Sequence, residues 1–320
     1  MRKFLTAAVA ALGMAFAAPA AVEAAAHGWK PAGPIKMLIA FRAGGGADTQ
    51  ARLIAEELEA RHGWKIIPEQ VTGKGGANMA VALKDMPNDG TAIGMVVTET
   101  FAYNMISAKR QAYTQADFTP LTTTAGFQMG VVALTSKGWK TWDDVIAAAK
   151  GGQDIRFGVM SPKLGDLAYM LGKEAGVEFN IVSVKGGKGV MNGLNAGDLD
   201  IGFGAGVQTK AVLAGDMVNL ASAMTKRLNI SPDAPTLAEL GIDLNADGYF
   251  MFAAPAGLPA EARTALATAI GDIVQDPTTQ AHEILTKGFG GVTVIQGAEL
   301  EAVLAKDLEA SRALLEAASQ

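Results

Sequence analysis

A segment near the start of the chain constrains the fold most strongly, because an apolar run ends there in three consecutive glycines. Residues 37–40 are apolar, glycines occupy positions 44–46, and an amphipathic helix pattern begins at Asp48. A strand that leads through a glycine loop onto a helix N-terminus presents free backbone N–H groups at the positive end of the helix dipole. The segment therefore predicts an anion-binding loop and leaves the identity of the anion open.

The N-terminus has the pattern of an export signal. Arg2 and Lys3 precede a mostly apolar run from Phe4 to Ala18, and the small residues at 24–26 offer a cleavage site. A membrane anchor is the alternative, but the run is shorter than the roughly 20 apolar residues that a span requires. We predict that residues 1–26 are a cleavable signal peptide and that the mature chain is exported.

The composition argues against several kinds of chemistry. The chain has no Cys, and its three histidines are scattered without the spacing of metal ligands. It contains no G-x-S-x-G elbow, and Ser161 has no identifiable histidine partner. The formal net charge of −5 argues against a nucleic-acid partner. We therefore expect no catalytic residues, no metal site and no cofactor.

Strand-like and helix-like patterns alternate along almost the whole sequence, which predicts an α/β protein. The first unit has a β-α-β-α-β order, which predicts a parallel sheet with helices on both faces. Glycine loops recur in the second half, and two similar lobes suit this length better than one core. The predicted strands span residues 35–40, 65–67, 91–97, 128–134, 155–159, 180–184, 199–203, 218–223, 249–254 and 293–295. Helices are predicted after residues 44–46, over residues 77–86 and 260–275, and from residue 298 to the C-terminus. Two more are predicted to start at the capping residues Thr141 and Ser161.

The glycine loops do not match the patterns of nucleotide-binding proteins. Residues 44–49 and 204–209 both depart from G-x-G-x-x-G at the last position, and residues 185–189 lack the spacing of a P-loop. For any single loop, an ordinary strand-to-helix turn is the favoured interpretation. Several such loops favour a binding site, because ligands of α/β sheets bind at the carboxyl ends of the strands.

Charged residues beside these loops have two interpretations. Four cations are either solvated surface residues or ligand contacts: Arg42, Lys74, Lys163 and Lys185. Arg42 is the best candidate for a contact, because its guanidinium can bind a carboxylate with two hydrogen bonds. Asp48 is more typical of a first-turn helix residue that stabilises its own dipole. Glu99 would either repel an anion or bind a ligand amine.

Several short motifs occur in the order and spacing of one known family. Residues 41–48, Phe-Arg-Ala-Gly-Gly-Gly-Ala-Asp, resemble its F-x-P-G-G-x-x-D loop, and residues 73–76 resemble its G-A-G-G turn. Further matches are residues 88–91 to P-D-G-Y/T, 117–121 to D-F-T-P-V, 182–187 to V-P-Y-K-G-S/G, 197–200 to G-x-V-D and 234–241 to V-P-T-x-x-E-x-G. The chain thus resembles, over essentially its whole mature length, the exported solute-binding proteins of tripartite tricarboxylate transporters, or Bug proteins.

This resemblance implies a two-lobed α/β fold of the type II periplasmic-binding-protein (Venus-flytrap) class, with a cleft between the lobes. It also implies a periplasmic monomer that binds a small carboxylate, either a di- or tricarboxylate or a related acid, and delivers it to the membrane subunits of a tripartite tricarboxylate transporter. The expected lobes are residues 28–123 with 228–320, and residues 124–227. The expected ligand-binding residues are Phe41, Arg42, Ala43, Gly44, Gly45, Gly46, Asp48, Thr98, Glu99, Thr100, Met160, Ser161, Pro162, Lys185, Gly186, Gly204, Ala205 and Gly206.

Two departures from the family pattern bear on the choice of ligand. Arg42 and Ala43 stand where the family has apolar residues or proline. Residues 159–166 replace a Ser/Gly-rich loop that is followed by His, so the ligand of a relative does not transfer to this chain. Two alternatives stay open: a soluble α/β enzyme with a nucleotide cofactor, and a sensory protein that presents a bound acid to a membrane kinase.

Overall fold

Two five-stranded sheets form the framework of residues 28–319, the part of the chain that this computed structural model describes. The strands are β1 (Ile35–Ile39), β2 (Ile66–Gln70), β3 (Ala92–Val97), β4 (Phe118–Gly126), β5 (Met129–Leu134), β6 (Arg156–Val159), β7 (Asn180–Ser183), β8 (Ile201–Ala205), β9 (Met217–Ser222) and β10 (Tyr249–Pro255). The first sheet has the order β2-β1-β3-β10-β4, and the second has the order β7-β6-β8-β5-β9.

Helices follow most of the strands and cover the sheets. They are α1 (Gly46–His62), α2 (Ala77–Lys84), α3 (Tyr103–Ile106), α4 (Trp142–Lys150), α5 (Pro162–Ala175), α6 (Gly186–Ala196), α7 (Thr209–Leu213), α8 (Ala260–Gln275), α9 (Gln280–Phe289) and α10 (Gly297–Ala318). The predicted α/β class with two lobes is therefore confirmed.

Each sheet contains a parallel part and one reversed strand. β1 pairs in parallel with β2 and β3, as the sequence predicts, and β6 pairs in parallel with β7 and β8. β10 lies antiparallel between β3 and β4, and β5 lies antiparallel between β8 and β9. The sheets are therefore mixed, which the local patterns did not indicate.

The chain passes between the sheets at two places. β4 of the first sheet leads into β5 of the second after two residues, Phe127 and Gln128. The chain returns through residues 223–248, which join β9 to β10. These two connections join the lobes.

β1 is buried on both faces, which fixes the position of the glycine loop that follows it. Ile39 packs in one cluster with Ile54 of α1. Leu38 packs in a second cluster with Met79 of α2. Helices on both faces explain why the strand is almost uninterruptedly apolar.

Two predicted helix starts are confirmed by their capping contacts. The Thr141 hydroxyl accepts a hydrogen bond from the Asp144 amide, and the Asp144 carboxylate accepts one from the Thr141 amide, which completes a capping box. Ser161 caps α5 through the Leu164 amide, and Pro162 is the first helical residue.

The secondary structure differs from the prediction in several places. Residues 293–295 are not a strand, although the Thr293 amide donates to the Thr124 carbonyl oxygen at the edge of β4. No element was predicted at β4, α3, α6, α7 or α9, and all five are present in the structure. The predicted signal peptide lies outside the described residues. Within residues 28–319, no helix is long and apolar enough to cross a membrane.

Candidate functional site

A cavity of about 90 Å³ lies where the carboxyl ends of strands from both sheets face each other. The first sheet contributes residues that follow β1 and β3, among them Phe41 and Glu99. The second sheet contributes residues that follow β6 and β7, among them Ser161 and Lys185. Ligands of α/β sheets bind at such strand ends, so this cavity is the candidate site.

The N-terminus of α1 offers two amide groups to the cavity. The amide of Gly44 donates to Asp48 Oδ2 at 2.8 Å, and that of Gly45 donates to the Arg42 carbonyl oxygen at 3.1 Å. The first N–H groups of a helix have no partner within the helix, and Gly46 and Ala47, the first residues of α1, line the cavity. We therefore expect the amides of residues 46 and 47 to be the anion-binding groups of the loop, because the amides of Gly44 and Gly45 already have protein partners. Gly46 was among the predicted residues, and Ala47 was not.

Asp48 orders this loop and does not line the cavity. Its side chain is 3% exposed, and its Oδ1 accepts hydrogen bonds from Arg52 Nε and Gln70 Nε2, both at 2.9 Å. With Oδ2 bound to the Gly44 amide, both carboxylate oxygens have protein partners. The prediction of Asp48 as a ligand contact is therefore corrected, and the helix-terminus interpretation fits the contacts.

The second sheet presents two more helix N-termini to the cavity. Ser161 and Leu164 at the start of α5 line it, as do Gly186 and Gly187 at the start of α6. Lys188 of α6 reaches across to the first lobe. Its Nζ lies so close to Gly44 that a Cβ atom added to this glycine would be 3.3 Å from it. Both lobes thus contribute groups that favour an anion.

An aromatic wall closes one side of the cavity. Phe250 packs edge-on against Phe127 and Phe289, with ring centroids 5.2 and 5.1 Å apart. The Phe289 ring occupies space that two glycines leave open, since a Cβ atom would lie 2.5 Å from it on Gly46 and 2.7 Å from it on Gly206. The cavity therefore has an apolar body between its polar groups.

Glu99 is a buried acid in the cavity wall. Its side chain is 6% exposed, and its Oε1 has no hydrogen-bond partner in the described residues. Burial raises the pKa of its carboxyl group, while Lys163 and the nearby polar side chains of Ser161 and Asn104 act in the opposite direction. Glu99 lies in the 3₁₀ turn Thr98–Phe101 that follows β3.

Contacts between α5 and the first lobe surround Glu99. The Tyr103 hydroxyl donates to Asp166 Oδ2, and burial together with this bond raises the pKa of Tyr103. Lys163, 8% exposed, acts electrostatically on Glu99 and on Asp307 of α10. Burial raises the pKa of Asp307 as well. Side chains of both lobes therefore meet beside the cavity.

The described residues offer no cluster for a metal ion. No group of three or more His, Cys, Asp or Glu side chains in residues 28–319 has a geometry that could hold one.

Comparison with known proteins identifies the family. A family model described as the tripartite tricarboxylate transporter family receptor matches residues 50–319. The chain belongs to this receptor family. The family and the fold are those of substrate-binding receptors.

Individual relatives of the receptor are distant. It is 27% identical over 261 residues to a protein of Agrobacterium vitis from the TAR-I ttuE-ttuC' intergenic region, in an alignment that covers 77% of this chain and 73% of the relative. The structure of R. palustris Rpa4515 with adipate has a TM-score of 0.78 at 22% identity and covers 90% of this chain and 98% of that one. MatC from Rhodopseudomonas palustris with bound malate has a TM-score of 0.76 at 19% identity, with 89% and 99% covered. These structures establish the shared fold.

The receptor brings together many of the residues that the sequence singled out. The predicted residues that line the cavity are Phe41, Arg42, Gly45, Gly46, Glu99, Met160, Ser161, Lys185, Gly186 and Ala205. The predicted residues outside its lining are Ala43, Gly44, Asp48, Thr98, Thr100, Pro162, Gly204 and Gly206. The Thr98 hydroxyl accepts from the Tyr249 amide, and the Thr100 hydroxyl donates to the Gly75 carbonyl oxygen. The hydroxyl groups of Thr98 and Thr100 therefore form hydrogen bonds within the first lobe.

Two of the outlying glycines border a second, open groove of about 1100 Å³. Gly44 and Gly206 line this groove, which shares Gly46, Val207 and Phe289 with the cavity. The groove is thus adjacent to the cavity at Phe289.

The cavity also has lining residues that sequence reasoning missed. They are Ala47, Gly75, Val97, Phe127, Met129, Leu164, Gly187, Lys188, Val207, Phe250 and Phe289. Most are apolar and lie in segments distant in sequence, so no local motif distinguishes them from core residues. Gly75, Gly187 and Lys188 are the exceptions, because they lie in the glycine-rich segments 73–76 and 185–189.

Proposed function

We propose that this protein is a periplasmic receptor that captures a small organic carboxylate between its lobes and delivers it to the membrane subunits of a tripartite tricarboxylate-type permease. The observation that carries the proposal is the convergence of three helix N-termini, from α1, α5 and α6, on one cavity. Helix N-termini favour anions, and their amides need no charged partner to do so. The adipate and malate in the two similar structures support a carboxylate ligand.

The energy of such a site is compatible with a transport receptor. A carboxylate that accepts three hydrogen bonds gains roughly 1.5–3 kcal/mol from each, or about 5–9 kcal/mol in total. Micromolar affinity requires about 8 kcal/mol. Contacts of the ligand body with the aromatic wall would supply part of the difference.

Lobe closure is part of the proposal. We assign residues 28–123 with 228–320 to one lobe and residues 124–227 to the other, and we expect the two connections between the sheets to act as the hinge. Closure would exclude water from the site and strengthen each polar contact. We further propose that the receptor acts as a monomer, without nucleic acid, cofactor or catalysis.

An enzyme with a nucleotide cofactor fits the cavity less well. A volume of about 90 Å³ is below the roughly 300–1,000 Å³ typical of drug-sized ligands. The glycine loops also lack the nucleotide patterns.

A thermal-shift screen of the protein without residues 1–26 tests the proposal. The panel contains acetate, hexanoate, succinate, adipate, citrate, benzoate and leucine, with NAD and ATP as the competing class. We expect at least one acid to raise the melting temperature in a saturable way. Stabilisation by a nucleotide with none by any acid would contradict the proposal.

A pair of lysine variants places the binding event. Lys188→Ala removes a cation from the cavity lining, and Lys173→Ala removes an exposed cation near the far end of α5. We expect Lys188→Ala to lower the affinity for the acid that binds and Lys173→Ala to leave that affinity unchanged. Equal effects of both variants would argue against the cavity as the site.

A further inference from the structure

The cavity has a cationic side, and residues 28–319 provide no salt-bridge partner for it. Arg42, Lys185 and Lys188 all line it. Within residues 28–319, none of the three forms a salt bridge. Gly46 and Ala47, the first residues of α1, line the same space. This side, the cationic wall, can hold an anionic group of a ligand.

The side of the cavity around Glu99 is acidic. Its Oε1 is buried in the cavity wall without a hydrogen-bond partner. A buried acceptor without a donor destabilises the protein, and more so if it is charged. Such an atom in a ligand cavity indicates that a donor arrives with the ligand.

The protein supplies few cations on this side. Glu99 and Asp307 both face the buried ammonium group of Lys163. The neighbouring Asp166 is bonded by the neutral hydroxyl of Tyr103. The carboxyl groups beside Glu99 therefore outnumber the buried cations, and an additional positive charge would improve the balance.

Between these two sides the cavity is apolar. Phe127, Phe250 and Phe289 form one wall, and Met129 and Met160 contribute from the second lobe. A ligand that fills this space has a hydrocarbon body and few polar groups along it.

We propose that the ligand is a zwitterionic amino acid with an apolar body, whose carboxylate binds the cationic wall and whose ammonium group binds Glu99. This inference rests on the proposed function, since it refines the class of carboxylate that the receptor takes. Glu99 is then the residue that determines specificity.

An ammonium group fits better than the other donors that a small acid can carry. A second carboxylate would lie beside Glu99 and Asp307, where burial already disfavours negative charge. A hydroxyl group would satisfy Oε1 but would add no positive charge. An ammonium group does both, because it has three donors and a full charge.

Proton release provides a signature of this contact. Without ligand, burial raises the pKa of Glu99. An ammonium group at Oε1 lowers it again, because an opposite charge favours the ionised form. Binding of an amino acid should therefore release protons, and binding of the matching acid without the amine should not.

Matched ligand pairs test the proposal by isothermal calorimetry. The first pair is leucine and 4-methylpentanoate, in which the amine of leucine lies next to the carboxylate. The second pair is 6-aminohexanoate and hexanoate, in which the amine lies at the far end of the chain. A charged hydrogen bond predicts about 10- to 100-fold tighter binding of one amino acid than of its partner. Titrations in buffers of different ionisation enthalpy report the protons released.

Two variants separate recognition from stability. Glu99→Gln should abolish the preference for the amino acid and its proton release, while 4-methylpentanoate or hexanoate binds as before or more tightly. Glu56→Gln changes an exposed acid of α1 and should leave the preference intact. Equal weakening of both members of a pair by Glu99→Gln would assign Glu99 a structural role and overturn the proposal.

The outcomes also separate this inference from the proposed function. If an acid of the panel binds and the amine adds no affinity in either pair, the inference fails and the proposed function stands. If no acid binds at all, both fail.

Discussion

The hydroxyl of Tyr103 connects the lobes, so its removal should weaken ligand binding more than it weakens folding. Tyr103 belongs to α3 of the first lobe, and its hydroxyl donates to Asp166 of α5 in the second. The Tyr103 side chain is fully buried, and Asp166 is partly exposed. Tyr103→Phe deletes this bond with little change in volume.

The magnitude follows from the kind of bond. A hydrogen bond to a charged group contributes about 1.5–3 kcal/mol, and the lower end applies because the partly exposed Asp166 can regain water. If the ligand binds only when the lobes are together, a loss of about 1.5 kcal/mol in that state reduces the apparent affinity about tenfold.

Tyr113→Phe is the matched control. The Tyr113 hydroxyl donates to the Thr100 carbonyl oxygen at 2.7 Å, and both residues belong to the first lobe. Calorimetry with the tightest acid of the panel should give a dissociation constant about tenfold higher for Tyr103→Phe and unchanged for Tyr113→Phe. Thermal unfolding should show a lower melting temperature for Tyr113→Phe. An unchanged dissociation constant for Tyr103→Phe, or equal changes in both variants, would refute the reasoning.

Three further predictions concern stability and the mouth of the cavity. Asp200 is buried, and hydrogen bonds from basic side chains outweigh the effect of burial and lower its pKa to about 2. Above pH 4 this depressed pKa should contribute about 2 kcal/mol to the free energy of unfolding, and the contribution should disappear as the pH falls towards 2. Urea titrations of wild type and Asp200→Asn test this, and a pH-independent difference between their unfolding free energies would contradict it. Gly206→Ala should cost about 2–4 kcal/mol, because its φ is +105° and the new Cβ would meet the Phe289 ring at 2.7 Å, whereas Gly215→Ala, with φ +80° and open space, should cost only about 1 kcal/mol. Equal losses of unfolding free energy would show that the Phe289 contact does not matter. Arg42 is exposed at the cavity and belongs to the cationic wall, so Arg42→Ala should raise the dissociation constant of the tightest acid of the panel, and an unchanged constant would exclude Arg42 as a contact of the carboxylate.

Local signals in the sequence predicted much of the framework. The capping residues Thr141 and Ser161 fixed two helix starts, because a cap is a contact between residues three positions apart. The apolar run before the glycines predicted β1, because a central strand is covered on both faces.

Elements that depend on distant partners were not predictable in the same way. β4 reads Phe-Thr-Pro-Leu-Thr-Thr-Thr-Ala-Gly, and it is a strand because β10, more than 120 residues later, pairs with it in antiparallel orientation. The helix α9 is different, because its buried residues Ala281, Leu285 and Phe289 have helical spacing. Its pattern was therefore present in the sequence after the break at Asp276-Pro277, and the prediction overlooked it.

The candidate site was predictable in position and less so in chemistry. The strand-end loops indicated the cavity because the ends of parallel strands meet at one edge. No local pattern indicated that the Asp48 carboxylate would accept the hydrogen bond of the Gly44 amide, or that Ala47 would line the cavity. Nor could it show that Glu99 has an unpartnered oxygen, because that depends on the fully folded surroundings.

A crystal structure of the receptor with its tightest-binding acid tests the central claim most directly. We expect the carboxylate of the acid to lie in the cavity between the sheets, within hydrogen-bonding distance of the amides of residues 46 and 47. An acid bound in the outer groove, or with its carboxylate away from all three helix N-termini, would contradict the account.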